Sequence, residues 1–331
     1  MELGAFNEKK LFNRLGDVNA AIAEFLHTDN EKMREVMEWV IARKGKQLRP
    51  RLVLLSSHFG KGVNKKVVDF AAMLEIIHMA SLVHDDVIDD ADIRRGAASV
   101  QRKFGRSMAV YAGDFMIFAV FSAKTFLLDP RLNHVYATMR RICSGELGQH
   151  TNLYNFDITI DQYVANISGK TAGMFELACE LGASVGKAPS SAVRRLGEFG
   201  HNLGILFQIQ DDILDYRAGD GSVDKPTYQD FSNGIFTLPL LFAMESPELK
   251  RRLIQIDAET RGKALSKTHQ REIDEIIRAG DGFAKCLSAA EPFRQKAAAA
   301  LSGLPDRVEK DYLASLLDKV YARIDISYHQ D

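Results

Sequence analysis

Apolar residues recur every three to four positions through residues 18–43, 51–59, 67–84, 108–128, 132–151, 161–185, 191–216, 235–245, 270–300 and 307–324. This is the rhythm of helices that bury one stripe, and no stretch shows the two-residue alternation of a half-buried strand. The pattern predicts an all-α protein. Turn-forming residues fill the gaps at 60–64, 94–98, 129–130, 186–190, 219–226 and 246–247. None of these gaps is long or biased enough to be a linker, so the pattern predicts a single domain over residues 1–331.

Two of the predicted helices, 67–89 and 191–216, are apolar around most of their circumference, as befits the centre of a bundle. Each ends in the same arrangement of carboxylates: Asp85, Asp86 and Asp89 in LVHDDVIDD, and Asp211, Asp212 and Asp215 in FQIQDDILD. Positions i and i+4 share a helix face, so Asp85 sits over Asp89 and Asp211 over Asp215. Like charges beside apolar residues need a cation. Oxygen ligands without His or Cys favour Mg2+, which keeps much of its water and bridges carboxylates to substrate phosphates. The clusters therefore point to a phosphorylated ligand. If the two helices face each other, all six aspartates converge on one cavity mouth.

Positive charge is placed to match. Lys46 and Arg49 in GKQLRP, Arg94 and Arg95 beyond the first cluster, Lys170 in SGKTAG and Lys225 in VDKP all lie at helix ends or in loops beside apolar runs. Arg grips phosphate oxygens through paired hydrogen bonds, and Lys acts as a point charge.

Composition narrows the possibilities further. With 46% hydrophobic residues the chain can fill a substantial core, and a net charge of −1 argues against nucleic acid or an anionic membrane as a general partner. Cys143, Cys179 and Cys286 form no CxxC pair and read as reduced thiols of an intracellular, cytoplasmic protein. The first residues contain no apolar run of signal-peptide length. The most membrane-like stretch, 108–128, carries Asp114 and Lys124 and reads as a core helix.

Taken in order, GKQLRP, HMASLVHDDVIDDADIRRG, AGDF, GELGQ, GKTAG, FQIQDDILD and the DKP to TLP segment resemble the signature of the trans-isoprenyl diphosphate synthases, or polyprenyl synthetases, from residue 45 to residue 239. The resemblance implies the isoprenoid synthase fold, mostly antiparallel helices around a deep central cavity, and a homodimer. It also implies a reaction in which an allylic diphosphate, held by Mg2+ between the two clusters, ionises and is attacked by isopentenyl diphosphate. About three Mg2+ ions per site are implied when substrate is bound.

By the same resemblance, Asp85, Asp89 and Asp211 are direct metal ligands, and Asp86, Asp212 and Asp215 ligate or hold metal-bound water. Lys46, Arg49, His78 and Arg95 match the isopentenyl diphosphate pocket. Arg94, Lys170 and Lys225 match contacts to the allylic diphosphate, while Thr171 and Gln208 match polar groups near the developing cation. Two departures stand out: Asp224 replaces the glycine common before Lys225, and Ile235 stands where some members carry a lysine.

Product length is expected to be set along the helix before Asp85. Ala80 and Ser81, one turn upstream, are small, and no bulky residue or insertion closes the first motif. This implies a medium to long product, roughly C30 to C45 by analogy, as used for quinone side chains, with geranylgeranyl diphosphate as the alternative. Ile77, Met73 and Phe70 lie deeper on the same helix. Release of such a product would involve at most peripheral contact with a membrane. A class I terpene cyclase shares one DDxxD helix but needs no GKQLRP site, and a non-catalytic subunit of a heteromeric synthase tends to lose the aspartates that this chain keeps.

Overall fold

Helix boundaries follow local capping chemistry. The computed structural model describes residues 8–43, 45–217 and 227–329, with side chains from 13 to 325. The long stripe 18–43 divides into α1 (Glu8–Phe25) and α2 (Glu31–Ile41), because the Asn30 side chain accepts the Met33 amide and starts a new helix. Next come α3 (Leu48–Ser57) and α4 (Lys65–Ile88), the latter capped by Asn64. A two-stranded hairpin follows, β1 (Ile93–Arg94) and β2 (Ala97–Ala98), a small exception to the expectation of helices alone. Then come α5 (Val100–Phe104), α6 (Arg106–Phe121) and α7 (Leu132–Thr151).

The stripe 161–185 is interrupted. Its first part is α8 (Ile160–Ile167), opened by a capping box between Thr159 and Gln162, and its last part is α9 (Gly173–Val185). Between them Ser168–Ala172 forms a π-helical turn. The chain continues through α10 (Ser190–Asp215), α11 (Gln229–Ser232), α12 (Leu238–Ala243) and α13 (Pro247–Thr260). It ends with α14 (Lys267–Ala279), α15 (Gly282–Ser302) and α16 (Val308–His329). The periodicity reading did not anticipate α13: its polar KRR segment at 250–252 dilutes the apolar stripe, although Pro247 at its first turn marks a helix start.

The residues group into two compact units, one of residues 1–135, 177–197 and 305–309, the other of 136–176, 198–304 and 310–331. In the first unit α4 is the core, packed most heavily on α6 and then on α3 and α1. A Cβ at Gly113 of α6 would collide with the His84 ring of α4, so glycine permits this close approach. Phe70, Met73, Leu74 and Ile76 are fully enclosed. Truncating any one of these side chains to Ala is worth about 2–5 kcal/mol in such a setting. By length and composition α4 could cross a membrane, but 78% of its most apolar window is buried inside the protein. In the second unit α12 packs on α15 and α14 and touches α8.

Candidate active site

The first aspartate cluster ends α4. Asp89 is its C-cap, and the Asp89 amide donates to the Asp85 carbonyl at 2.8 Å, so the two carboxylates stand one turn apart. Asp86 turns the other way and is 2% exposed. Its Oδ1 accepts Arg94 Nε at 2.7 Å and lies 2.5 Å from Nη2. Burial pushes the Asp86 carboxyl up from its ordinary value, and the Arg94 guanidinium opposes that rise.

Arg94 is held there by the hairpin. Arg94 pairs with Ala97, and the two turn residues, Arg95 and Gly96, both have positive φ, +53° and +72°. That is the backbone of a type I′ turn, which glycine enters freely and arginine at a cost of order 1 kcal/mol. The strain places the Arg95 guanidinium against the GKQLRP segment: Nη1 donates to the Arg43 carbonyl at 2.7 Å, and a Cβ on Gly45 would strike the guanidinium. Gln47, the N-cap of α3, is also left-handed at φ +48°. Arg49 follows in the first turn of α3.

These cations act on α4. Burial lowers the Arg49 pKa to about 10, with Glu75 pulling it back up. Glu75 is 3% exposed, and its carboxyl is raised by burial while Arg49 and Arg95 oppose the rise. His78, one turn beyond Glu75, lies well below the ordinary imidazole value because of burial and then Arg49, Arg95 and Arg94. It is therefore neutral and offers one N–H donor rather than a charge. The first unit thus brings Arg49, Arg94 and Arg95 close enough to act on His78, with exposed Lys46 in the adjoining loop. His84 faces Asp114 and the Val110 carbonyl instead, as a structural residue would.

In the second cluster the middle carboxylate again turns inward. Asp212 is 3% exposed, and both its oxygens are engaged: Gln208 Nε2 donates to Oδ1 at 2.7 Å, and Tyr163 Oη donates to Oδ2 at 2.5 Å. Thr171 Oγ1 donates to Gln208 Oε1 at 2.6 Å, which fixes the amide orientation. Asp215 Oδ1 and Oδ2 accept the Gln229 and Asp230 amides at 3.1 and 3.0 Å and so tie down the start of α11, while Asp211 is exposed.

The π-helical turn inserts one extra residue per turn, a geometry frequent at functional sites. It presents Thr171 to Gln208, and Lys170 to Glu146 Oε2 at 2.8 Å.

Negative charge is in excess here. Burial, opposed by Tyr163 and Gln208 and reinforced by Asp211 and Asp215, brings Asp212 to about 7. Asp230 is pushed well above the carboxylate range by burial and then by Asp215, Asp212 and Asp211, with Lys170 opposing. Shifts of this kind mark an excess of negative charge that a divalent cation would relieve. Within each unit the outer carboxylates, Asp85 and Asp89 in the first and Asp211 and Asp215 in the second, offer oxygen-only donors of the kind Mg2+ takes. Among the described residues no three His, Cys, Asp or Glu side chains already form a closed metal cage. Lys225, with Asp224, lies outside the described residues.

The two chain-length positions differ. Ala80 is wholly enclosed, whereas Ser81 is half-exposed and donates to the His78 carbonyl at 2.9 Å. Exposure fades along that face of α4 to 7% at Ile77 and to nothing at Leu74, Met73 and Phe70. Phe70 meets Phe126 edge-on at 5.0 Å.

Sequence reasoning passed over Glu75, Tyr163, Glu146 and Asp230. Glu75 was legible as a lone charge inside the apolar run AAMLEIIH. Asp230, in DFSNG, falls between the turn residues 219–226 and the apolar stripe 235–245 and carries no signal of its own.

Comparison with known proteins agrees with the motif order. The family model for polyprenyl synthetase matches residues 30–273. Heptaprenyl diphosphate synthase component 2 of Geobacillus stearothermophilus is 34% identical over 313 residues, covering 93% of this chain and 96% of its own. Octaprenyl diphosphate synthase of Escherichia coli is 32% identical over 319 residues, covering 96% and 97%. The crystal structure of a decaprenyl diphosphate synthase from Rhodobacter capsulatus superposes with a TM-score of 0.87 at 30% identity, covering 96% of this chain and 98% of the other. The fold is the all-α isoprenoid synthase fold, and the chain belongs to the polyprenyl synthetase family of prenyltransferases.

Proposed function

We propose that the chain is a Mg2+-dependent trans-polyprenyl diphosphate synthase that extends an allylic diphosphate with isopentenyl diphosphate to a product of roughly C30 to C45. The observation that carries this reading is the Arg49, Arg95 and His78 group of the first unit, a cationic site separate in chemistry from the aspartates. A terpene cyclase, which takes no isopentenyl diphosphate, has no use for it.

Lys46, Arg49, His78 and Arg95 bind the isopentenyl diphosphate. Arg94, Lys170 and Lys225 hold the allylic diphosphate. Asp85, Asp89 and Asp211 carry the metal, about three ions with substrate bound, while Asp86, Asp212 and Asp215 orient the clusters and metal-bound water. Bound Mg2+ supplies Lewis-acid stabilisation of the departing diphosphate, worth several kcal/mol. As the allylic C–O bond breaks, Thr171 and Gln208 present oxygen dipoles to the carbocation. The terminal carbon of isopentenyl diphosphate then bonds to it, and loss of a proton sets the trans double bond. Enclosing apolar walls exclude the water that would quench the cation.

The names of the heptaprenyl, octaprenyl and decaprenyl relatives support a medium to long product, whose apolar tail suits quinone side chains. The single run of matched residues, 30–273, supports treating the chain as one functional domain. Val110, Tyr111 and Phe118 of α6 are 39%, 64% and 69% exposed, which supports a homodimer that covers them. We assign the enzyme to the cytoplasm, with peripheral membrane contact at most during product release.

The test is incorporation of labelled isopentenyl diphosphate by the purified chain with Mg2+ and allylic primers of increasing length, the products being dephosphorylated and sized. Polyprenols of roughly C30 to C45 are expected. A hydrocarbon formed from the allylic diphosphate alone would replace this reading with a cyclase. Incorporation only after adding a second protein would make the chain one component of a heteromeric synthase.

A further inference from the structure

Tyr163 belongs to none of the motifs that carry the resemblance, yet its hydroxyl reaches the second aspartate cluster. It sits in the first turn of α8, fixed by the Thr159–Gln162 capping box, with its ring 5% exposed. Its Oη donates to Asp212 Oδ2 at 2.5 Å from the side opposite Gln208, which donates to Oδ1 at 2.7 Å. Gln208 is held in turn by Thr171 Oγ1 at 2.6 Å. Thr171 is joined to Tyr163 through α8 and the π-helical turn, so the contacts close a circuit from Tyr163 through Asp212, Gln208 and Thr171 back along the chain. Two donors of the circuit, Tyr163 Oη and Gln208 Nε2, end on Asp212, and the third, Thr171 Oγ1, fixes Gln208. Its carboxylate is clamped from both sides and cannot rotate.

The consequence falls on its neighbours. Asp211 and Asp215 flank Asp212 on the last turn of α10, and the direction of that turn decides where their oxygens stand. Without the Tyr163 hydroxyl, Oδ2 would be a buried acceptor with no donor among other carboxylates, and the carboxylate would swing to find a partner. We propose that Tyr163 is a positioning residue for the divalent cation of the second cluster, holding Asp212 inward so that Asp211 faces the metal and Asp215 its bound water. This rests on the polyprenyl diphosphate synthase reading and deepens it, because the residue touches neither substrate nor metal. Outer partners of ligating carboxylates typically change metal affinity about 10- to 100-fold when removed.

Tyr163→Phe keeps the ring and deletes only the hydroxyl. The test titrates Mg2+ by calorimetry into the whole protein holding a non-ionising allylic thiolodiphosphate, alongside steady-state kinetics. The variant should need about tenfold more Mg2+ for half-saturation, in the titration and in turnover, with the KM for isopentenyl diphosphate within about twofold of wild type. In an Asp212→Asn background the same change should add little, because the hydroxyl acts through that carboxylate. An unchanged Mg2+ titration overturns the role assigned to Tyr163. So does an equal loss in both backgrounds, or loss of helical circular dichroism, either of which marks a merely structural residue. If the wild-type protein itself takes up no thiolodiphosphate with Mg2+, the synthase reading is what fails.

Discussion

Arg94 places both Nε and Nη2 on a single oxygen of Asp86, at 2.7 and 2.5 Å, eight residues back along the chain. The second cluster is built the same way: its middle carboxylate, Asp212, is also turned inward and held by side-chain donors. In both DDxxD motifs the middle aspartate anchors the helix end while an outer one, Asp89 or Asp211, stays exposed. The motif therefore divides its carboxylates between one that holds the helix end and one that stays open to solvent.

That division makes Arg94 and Asp86 energetically dependent on each other. Arg94→Ala leaves a buried carboxylate without its main donor and should cost about 1–3 kcal/mol, a moderate value because the Arg94 side chain is 39% exposed. Asp86→Asn in the same chain should recover part of that loss. A double-mutant cycle by urea unfolding measures the coupling. Additive effects would show that the two side chains are not coupled.

His78 is held as a neutral donor. Burial and three arginines hold its pKa well below the ordinary 6.5. A neutral amide donor should therefore substitute: His78→Gln should leave the KM for isopentenyl diphosphate within about threefold, and His78→Ala should raise it about tenfold by deleting a hydrogen bond. The sign of the pH effect follows from linkage. Below the unfolded value near 6.5 the unfolded chain takes up a proton that the folded chain refuses, so stability falls as pH drops from there towards the depressed folded value. Thermal melts between pH 7.5 and 5.5 should show a shallower fall for His78→Gln than for the unaltered protein. Parallel curves would contradict the neutral assignment.

Asp129 provides an opposite case outside both aspartate clusters. It accepts the Arg131 amide and Nε on Oδ1, at 3.0 and 2.7 Å, and Arg131 Nη2 on Oδ2 at 2.6 Å; Lys66 Nζ also lies 2.6 Å from Oδ2. These donors hold the carboxyl far below the usual range, the Arg131 side chain first. A depressed acid stabilises the fold above its unfolded pKa, and that stability is lost as pH falls through the folded pKa. Asp129→Asn should therefore cost about 2–4 kcal/mol at pH 7, and the deficit should shrink progressively below about pH 4. Denaturant unfolding at pH 7 and pH 3 gives the comparison, and a deficit that does not shrink would refute the charge-based account.

What the sequence made legible follows from how local each signal is. The helices 132–151 and 190–215 are continuous apolar stripes bounded by turn residues, and the predicted limits lie within a residue of those observed. The break in 161–185 was hidden, because a π-helical turn shifts the register by one residue and leaves the stripe intact to the eye. The hairpin at Arg94 was hidden for a related reason: two-residue strands have no period, and arginine is an uncommon choice at a left-handed turn position. Repeated aspartates announced themselves by spacing. Their supports did not, because Tyr163 lies 49 residues from Asp212 in sequence and only folding brings the two together.

Ala80 and Ser81 looked alike as small residues one turn behind Asp85, and the structure separates them. Ala80 is fully enclosed, so Ala80→Phe must force atoms into a filled core, an overpacking that costs about 1–3 kcal/mol or more. Ser81 retains exposed surface on the face where exposure fades towards Ile77. Among the described residues its hydroxyl bonds to the His78 carbonyl of its own helix, and losing it is tolerated. Ser81→Phe should therefore fold normally and shorten the main product by several isoprene units, whereas Ala80→Phe should lower the melting temperature by several degrees. Sizing dephosphorylated products from both variants, beside their melting curves, tests the distinction. Unchanged products from a stable Ser81→Phe protein would remove this face of α4 from the control of chain length.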